Sequence, residues 1–321
     1  PESADCYESV MYLAKCEIVA GMGNECFSPE QLITVEQWAV MLCRAYGAET
    51  IGDSWQDVGR SSVVEAYRQG WLNETALSAP RSPMCRSVLV ESAFAAADVP
   101  VYDSTLYEGG ASLSTADNIL RVGRELGLCS DDADTNALVT RGDAAIILHV
   151  VLTQSFRIEE PPVPVTLVNA AGVNVNDFLL ELRKLPEQVL DAFNAAGWTY
   201  CIDFDYMGGL SKRLNMSCIG ATNYSRKTIY ISEASATLHE FGHFLDWMLG
   251  FPAEHEQLFR AEAAVAPLRN YAKTNTREYF ADYFAYCIIH GKDSEMMKSL
   301  RKNAPQTCTY FEELKKDNWS R

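Results

Sequence analysis

His239-Glu240-Phe241-Gly242-His243 lies inside residues 235–250, a stretch whose apolar residues recur at helical spacing. On a helix, two side chains four residues apart stand one turn apart on the same face, so both imidazoles can share one zinc ion. Glu240, between them, then stands beside the metal as a candidate general base. The chain has only five His, and two of them bracket this Glu. His149, His255 and His290 have no such neighbours and read as surface or core residues. Phe241, Phe244, Leu245 and Trp247 read as the core face of the helix, and Asp246 either buttresses the site or, the simpler reading, belongs to the solvated terminus.

Catalytic zinc needs three protein ligands and an open position, so the pentapeptide supplies only part of a site. Downstream, Tyr271-Ala272-Lys273-Thr274-Asn275-Thr276-Arg277-Glu278-Tyr279-Phe280-Ala281-Asp282 opens a second, aromatic-rich helix that continues through Cys287-Ile288-Ile289. Glu278 is the candidate third ligand. Zinc held by His239, His243 and Glu278 would polarise a carbonyl and acidify water, which is hydrolytic chemistry. Asp282, one turn beyond Glu278, is placed to accept the free ring N–H of a ligating imidazole and fix its tautomer. The Tyr271 phenol, just ahead of the helix, can donate to an oxyanion developing on a peptide carbonyl.

Ahead of the zinc helix, residues 176–196 carry apolar residues at helical spacing, interrupted at Pro186. Trp198-Thr199-Tyr200-Cys201-Ile202 predicts a short strand, and Gly208-Gly209 a flexible stretch. Thr228-Ile229-Tyr230-Ile231-Ser232 alternates like a strand and is expected to be the edge strand that pairs with an extended substrate. Strands followed by the zinc helix predict an α+β domain of zincin type, a mixed α/β lobe plus a helical lobe with the cleft between them.

With 321 residues the chain has room for two domains, each with its own core. Hydrophobic residues make up 48% and charged residues 22%, and no apolar run approaches bilayer length, so no transmembrane segment is expected. Lys and Arg number 27 against 43 Asp and Glu, a formal charge of −16 that repels a phosphate backbone and excludes nucleic acid as the expected partner. The start at Pro1-Glu2-Ser3 fits a processed secreted protein or a trimmed chain. Ten Cys show no Cys-X-X-Cys metal pattern, and both disulfide pairing after export and reduced, buried thiols remain open. Glu159-Glu160-Pro161-Pro162-Val163-Pro164-Val165 disfavours helix and predicts an extended linker. The expected division is therefore residues 1–157, a linker at 158–165, and a metal domain at 166–321.

Residues 1–157 repeat a two-helix plan three times. The first copy runs Tyr12-Leu13-Ala14-Lys15-Cys16-Glu17-Ile18-Val19, then Gly21-Met22-Gly23-Asn24 and Phe27-Ser28-Pro29, then a helical stretch from Ile33-Thr34 to Tyr46-Gly47. The second offers Ala66-Tyr67-Arg68-Gln69-Gly70-Trp71-Leu72 and residues 87–97. The third offers Gly123-Arg124-Glu125-Leu126-Gly127-Leu128 and Val139-Thr140-Arg141-Gly142-Asp143-Ala144-Ala145. These copies resemble S-layer homology repeats, whose all-α three-repeat bundle, by that resemblance, holds proteins to secondary polymers of a bacterial cell wall. In that family a Thr-Arg-Ala-Glu-like motif opens the second helix and its Arg helps bind the anionic glycan. Thr140-Arg141-Gly142-Asp143 is close to the motif, whereas Val35 and Cys85 align with the Arg in the first two copies. The resemblance thus implies either wall attachment or a purely structural bundle.

The pentapeptide, Tyr271 seven residues before Glu278, and the aromatic helix look like the anthrax lethal factor-like metallopeptidases, which include the bacterial Pro-Pro endopeptidases. The likeness extends over Leu185-Pro186 through Gly197-Trp198 and Gly220-Ala221-Thr222. It implies zinc held by His239, His243 and Glu278 in a gluzincin-like site, water activated by Glu240, and a transition state stabilised by Tyr271. Together with the repeats, it implies a secreted or bacterial cell-surface zinc endopeptidase acting on extended, proline-rich (Pro-Pro) protein or peptide. Pro161-Pro162-Val163-Pro164 itself has the look of such a substrate, although a stiff spacer is the simpler reading. The alternative is a cell-wall-binding surface protein whose metal domain is structural or adhesive.

Overall fold

The structure, a computed structural model, describes residues 5–21, 26–291 and 293–320. The sequence readings at Pro1-Glu2-Ser3 and at Met22-Gly23-Asn24 lie outside these residues. The chain forms two compact units, residues 1–160 and 161–321, and the division falls within the proline-bearing stretch. Among the described residues no helix is long and apolar enough to cross a membrane.

The first unit is helical: α1 (Tyr7–Lys15), α2 (Val35–Tyr46), α3 (Trp55–Arg68), the short α4 (Glu74–Ser78), α5 (Arg86–Ala96), α6 (Thr115–Glu125) and α7 (Arg141–Thr153). Helices α2, α5 and α7 are the second helices of the three copies. Just before each, one extended residue joins a closed ring of backbone hydrogen bonds. Ile33 N–H donates to Val139 O at 2.9 Å, Val139 N–H to Met84 O at 3.0 Å, and Met84 N–H to Ile33 O at 3.0 Å. All three residues are buried. Thr34 and Thr140 then start α2 and α7 with capping boxes closed by Gln37 and Asp143. Beneath them Trp38, Leu42, Leu89, Phe94, Leu120 and Leu148 fill one core.

This ring corrects the alignment of the second copy. Cys85, extended and without a side-chain cap bond, occupies the N-cap place held elsewhere by Thr34 and Thr140. The Arg position is therefore Arg86, not Cys85, and Arg86 faces Asp143 at 3.9 Å. Arg141, in the copy nearest the motif, is 5% exposed. Its Nε donates to Phe27 O at 3.0 Å, its Nη2 to Ala20 O at 3.4 Å, and its guanidinium lies over the Phe27 ring.

The second unit is α+β. It contains β1 (Leu167–Asn169), α8 (Asn176–Leu182), α9 (Glu187–Ala195), β2 (Thr199–Ile202), α10 (Phe204–Leu214), β3 (Gly220–Asn223) and β4 (Thr228–Ile231). These are followed by α11 (Thr237–Met248), α12 (Ala253–Glu262), α13 (Thr276–Ile289), α14 (Glu295–Asn303) and α15 (Pro305–Lys316). The sheet order is β1-β2-β4-β3, with β1, β2 and β4 parallel and β3 antiparallel to β4. Tyr200, Cys201, Ile202, Ile229 and Ile231 are its buried side chains.

Three sequence expectations need correction here. Thr228–Ile231 is not the edge strand: it lies between β2 and β3, and its alternation with fully buried Ile229 and Ile231 is that of an internal strand. Gly220–Asn223 is the edge beside it, and β1 is the edge on the other side. Gly208 and Gly209 are not a flexible stretch but the exposed interior of α10, whose N-terminus Asp203 caps by accepting from Tyr206 N–H at 2.8 Å. Asp246 is not solvated: its carboxylate is buried against His255 Nδ1 at 2.7 Å, and His255 Nε2 lies 2.7 Å from the Tyr310 hydroxyl. This arrangement ties α11 to α12 and α15.

Candidate metal centre

Helix α11 is fixed at its start and along its apolar face. The Tyr200 hydroxyl meets Thr237 Oγ1 at 2.6 Å, and Phe241 and Phe244 pack on Phe193 with ring centroids 4.8 and 5.1 Å away. The opposite face meets α13, and Gly242 decides how closely. A Cβ at Gly242 would fall 2.6 Å from Ala281 Cα and 2.7 Å from its carbonyl oxygen, so the two backbones touch where no side chain fits. Helix α13 is capped by the Asn275 side chain, which accepts from the N–H groups of Arg277 and Glu278. Across this contact Glu278 and Asp282 reach the pentapeptide.

Three donor atoms converge. His239 Nε2 is 3.0 Å from Glu278 Oε2 and 3.2 Å from His243 Nε2, and His243 Nε2 is 3.4 Å from Glu278 Oε2. Tetrahedral zinc with bonds of about 2.0 Å sets its donors about 3.3 Å apart, so the triangle fits such an ion. These are the residues, among those described, that form a group able to hold a metal. On the far side of the ring, His239 Nδ1 lies 2.6 Å from Asp282 Oδ1, a bond that in the neutral ring fixes the proton on Nδ1 and makes Nε2 the atom able to ligate once its own proton is expelled.

Arg269, from the loop after α12, was not visible in the sequence pattern. Its Nε and Nη2 grip Asp282 Oδ2 and Oδ1 at 2.6 and 2.5 Å. Burial opposes the charge on Asp282, but His239 and Arg269 outweigh it and hold its carboxyl below the usual range. Glu278 behaves alike, with burial overcome by the two imidazoles, and is held well below its usual range.

Glu240 is 5% exposed and faces the same cleft, a space of about 1010 Å³ bordered by β3, α11 and α13. The edge strand cradles it. Thr222 Oγ1 donates to Glu240 Oε2 at 2.7 Å, and a Cβ at Gly220 would fall 2.7 Å from Oε1. Tyr271 sits in a single 3-10 turn, Asn270–Lys273, rather than on α13, and is 43% exposed beside the His239 ring. Burial and the Glu278 carboxylate push its phenol up to about 12, so it stays a proton donor at neutral pH.

The metal-free site has a titration signature. Burial opposes a charge on His239, yet its bonds to Asp282 and Glu278 prevail and raise its pKa to about 9. Metal needs the neutral ring, so below that value binding must expel a proton. Zinc affinity is therefore expected to rise about tenfold per pH unit from ~7 toward the pKa of His239 and to level off above it. Chelator competition across this range measures the slope, and a flat profile would contradict the assignment.

A His-Glu-X-X-His helix meeting a carboxylate from a second helix is a three-donor arrangement that could hold a metal ion. Residues 198–314 match the family described as anthrax toxin lethal factor, N- and C-terminal domain. That stretch is similar to the lethal factor family and contains every donor named above. No curated protein matches the chain.

Proposed function

We propose that the protein is a zinc endopeptidase, and the observation that carries this is the convergence of His239, His243 and Glu278 in a cleft shared with Glu240 and Tyr271. Zinc bound there would supply Lewis acidity toward a peptide carbonyl. Glu240, positioned by Thr222, accepts a proton from the attacking water and returns it to the leaving amine. Tyr271 donates to the oxyanion, and Asp282, held by Arg269, keeps the His239 tautomer fixed. The free edge of β3 pairs with an extended substrate. A proline-rich, Pro-Pro-containing substrate suits this cleft because a polyproline conformation is already extended and loses little entropy on binding. A bacterial surface or secreted setting agrees with the repeat plan of the first unit.

The binding alternative has less support. Residues 1–160 hold 24 acidic and 10 basic residues, against 19 and 17 in residues 161–321. An anionic wall polymer would meet that charge, and Arg141 is turned inward.

The test is a digest of Pro-Pro and unbiased peptide libraries by the full chain, read by mass spectrometry alongside metal analysis. About one zinc per chain with cleavage is expected, and zinc without any cleavage would favour the binding reading. Tyr271→Phe should lower turnover about 100-fold with zinc content unchanged. If the linker is itself a substrate, the purified protein sheds its N-terminal unit between Pro161 and Pro162. An intact chain after long incubation with zinc rejects that.

A further inference from the structure

Two guanidinium groups border the cleft, and they differ. Arg269 is paired with Asp282, whereas among the described residues no carboxylate pairs with Arg277. Arg277 stands in the first turn of α13, where a cation opposes the helix dipole. Its neighbour Glu278 is turned to the imidazoles and does not relieve it. Two aromatic rings hold it instead, Tyr224 with its centroid 5.3 Å away and Phe251 at 4.3 Å. Burial raises the Tyr224 phenol to about 12, so that ring stays neutral beside the cation.

Phe251 reaches this place at a conformational cost. It is 37% exposed and has φ +52°, in the left-handed region that a bulky side chain rarely adopts. Its N–H closes on Asp246 O at 3.0 Å, which fixes the turn after α11 and sets the ring against Arg277 and, edge-on at 5.4 Å, against Tyr224. A strained aromatic, set against a cation without an acidic partner at the edge of a cleft, suits recognition more than packing.

We propose that Arg277, held against the paired rings of Tyr224 and Phe251, is the recognition group for a substrate carboxylate, so that the cleft prefers an acidic side chain on the amino-terminal side of the scissile bond. The proposal rests on the peptidase reading. The side follows from β3: a peptide laid antiparallel on Gly220–Asn223 has its amino-terminal half toward Tyr224, the residue after the strand. Its carboxy-terminal half runs toward Ile219 and Met216, a less polar end. A planar guanidinium already fixed by two rings offers a carboxylate paired donors with little further ordering. The chain itself contains such a sequence, Glu159-Glu160-Pro161-Pro162, which supplies a defined probe.

The test uses the full chain in two measurements. In the first, a labelled peptide of residues 154–168 and its form with Glu159→Gln and Glu160→Gln are titrated against the zinc-loaded Glu240→Ala protein by fluorescence anisotropy. The acidic form is expected to bind about tenfold more tightly, and Arg277→Glu to abolish that difference while Arg277→Lys keeps part of it. Equal affinities, or a preference that survives Arg277→Glu, overturn the proposal. In the second, the wild-type chain digests a peptide library. Asp and Glu should be enriched amino-terminal to the cut, and Arg277→Glu should shift the enrichment to Lys and Arg. Arg277 variants that slow acidic and neutral peptides equally overturn it, since that would be a structural role. A protein that binds the acidic peptide and cuts nothing refutes the peptidase reading alone. One that cuts without acidic preference refutes the subsite alone.

Discussion

Glu240→Ala is expected to lower peptide cleavage by about 10³- to 10⁴-fold while the protein keeps its zinc. The separation of effects follows from the geometry. Glu240 is not one of the three converging donors, and its carboxylate is held from the β3 side by Thr222. Truncation leaves the triangle of His239, His243 and Glu278 in place and removes only the group proposed to handle the proton. Metal analysis and steady-state kinetics on the same preparation decide it. Activity within tenfold of wild type would mean that another group serves as base. Loss of zinc together with activity would mean that Glu240 helps hold the site.

Gly242→Ala should be the most damaging small change in the second unit. The added methyl would meet Ala281 backbone atoms 2.6 and 2.7 Å away, and no side-chain rotation relieves a clash with backbone. Overpacking of this kind costs about 1–3 kcal/mol, and more where neither helix can move. If α11 and α13 separate to make room, Glu278 and Asp282 leave His239, so zinc affinity falls along with the melting temperature. Gly208→Ala and Gly209→Ala are the controls. Both glycines are exposed in α10 with nothing within 4 Å of an added Cβ, so each change should stabilise by about 0.5–1 kcal/mol. Thermal unfolding of the three variants compares them directly, and a Gly242→Ala protein that melts like wild type would refute the close-contact account.

Periodicity made the donor residues legible. His239 and His243 are four apart, and Glu278 and Asp282 are four apart, so helix geometry places each pair on one face before any fold is known. Arg269 escaped because it comes from a loop and meets Asp282 only through the tertiary fold. The identity of the edge strand is hidden in the sequence for a similar reason. Thr228–Ile231 has the stronger alternation because it is buried among neighbours, while Gly220-Ala221-Thr222-Asn223, the true edge, is half-buried throughout and has no apolar pattern. It offers backbone at the sheet edge and cradles Glu240, neither of which hydrophobicity registers. Asp246 looked solvated because its partner, His255, lies beyond a turn on the next helix. Cys85 hid the second copy's register because its N-cap is defined by backbone angles rather than by a capping side chain.

The ring through Ile33, Met84 and Val139 sets a copy number for the first unit. In an open solenoid each repeat contacts only its neighbours, so copies can be gained or lost one at a time. Here every copy donates to one of the others and accepts from the third. Deleting any single copy would strand one buried donor and one buried acceptor in the remaining two, a penalty no neighbour can absorb. Three copies therefore close the ring, and removing any one of them is expected to lower the melting temperature of the whole first unit.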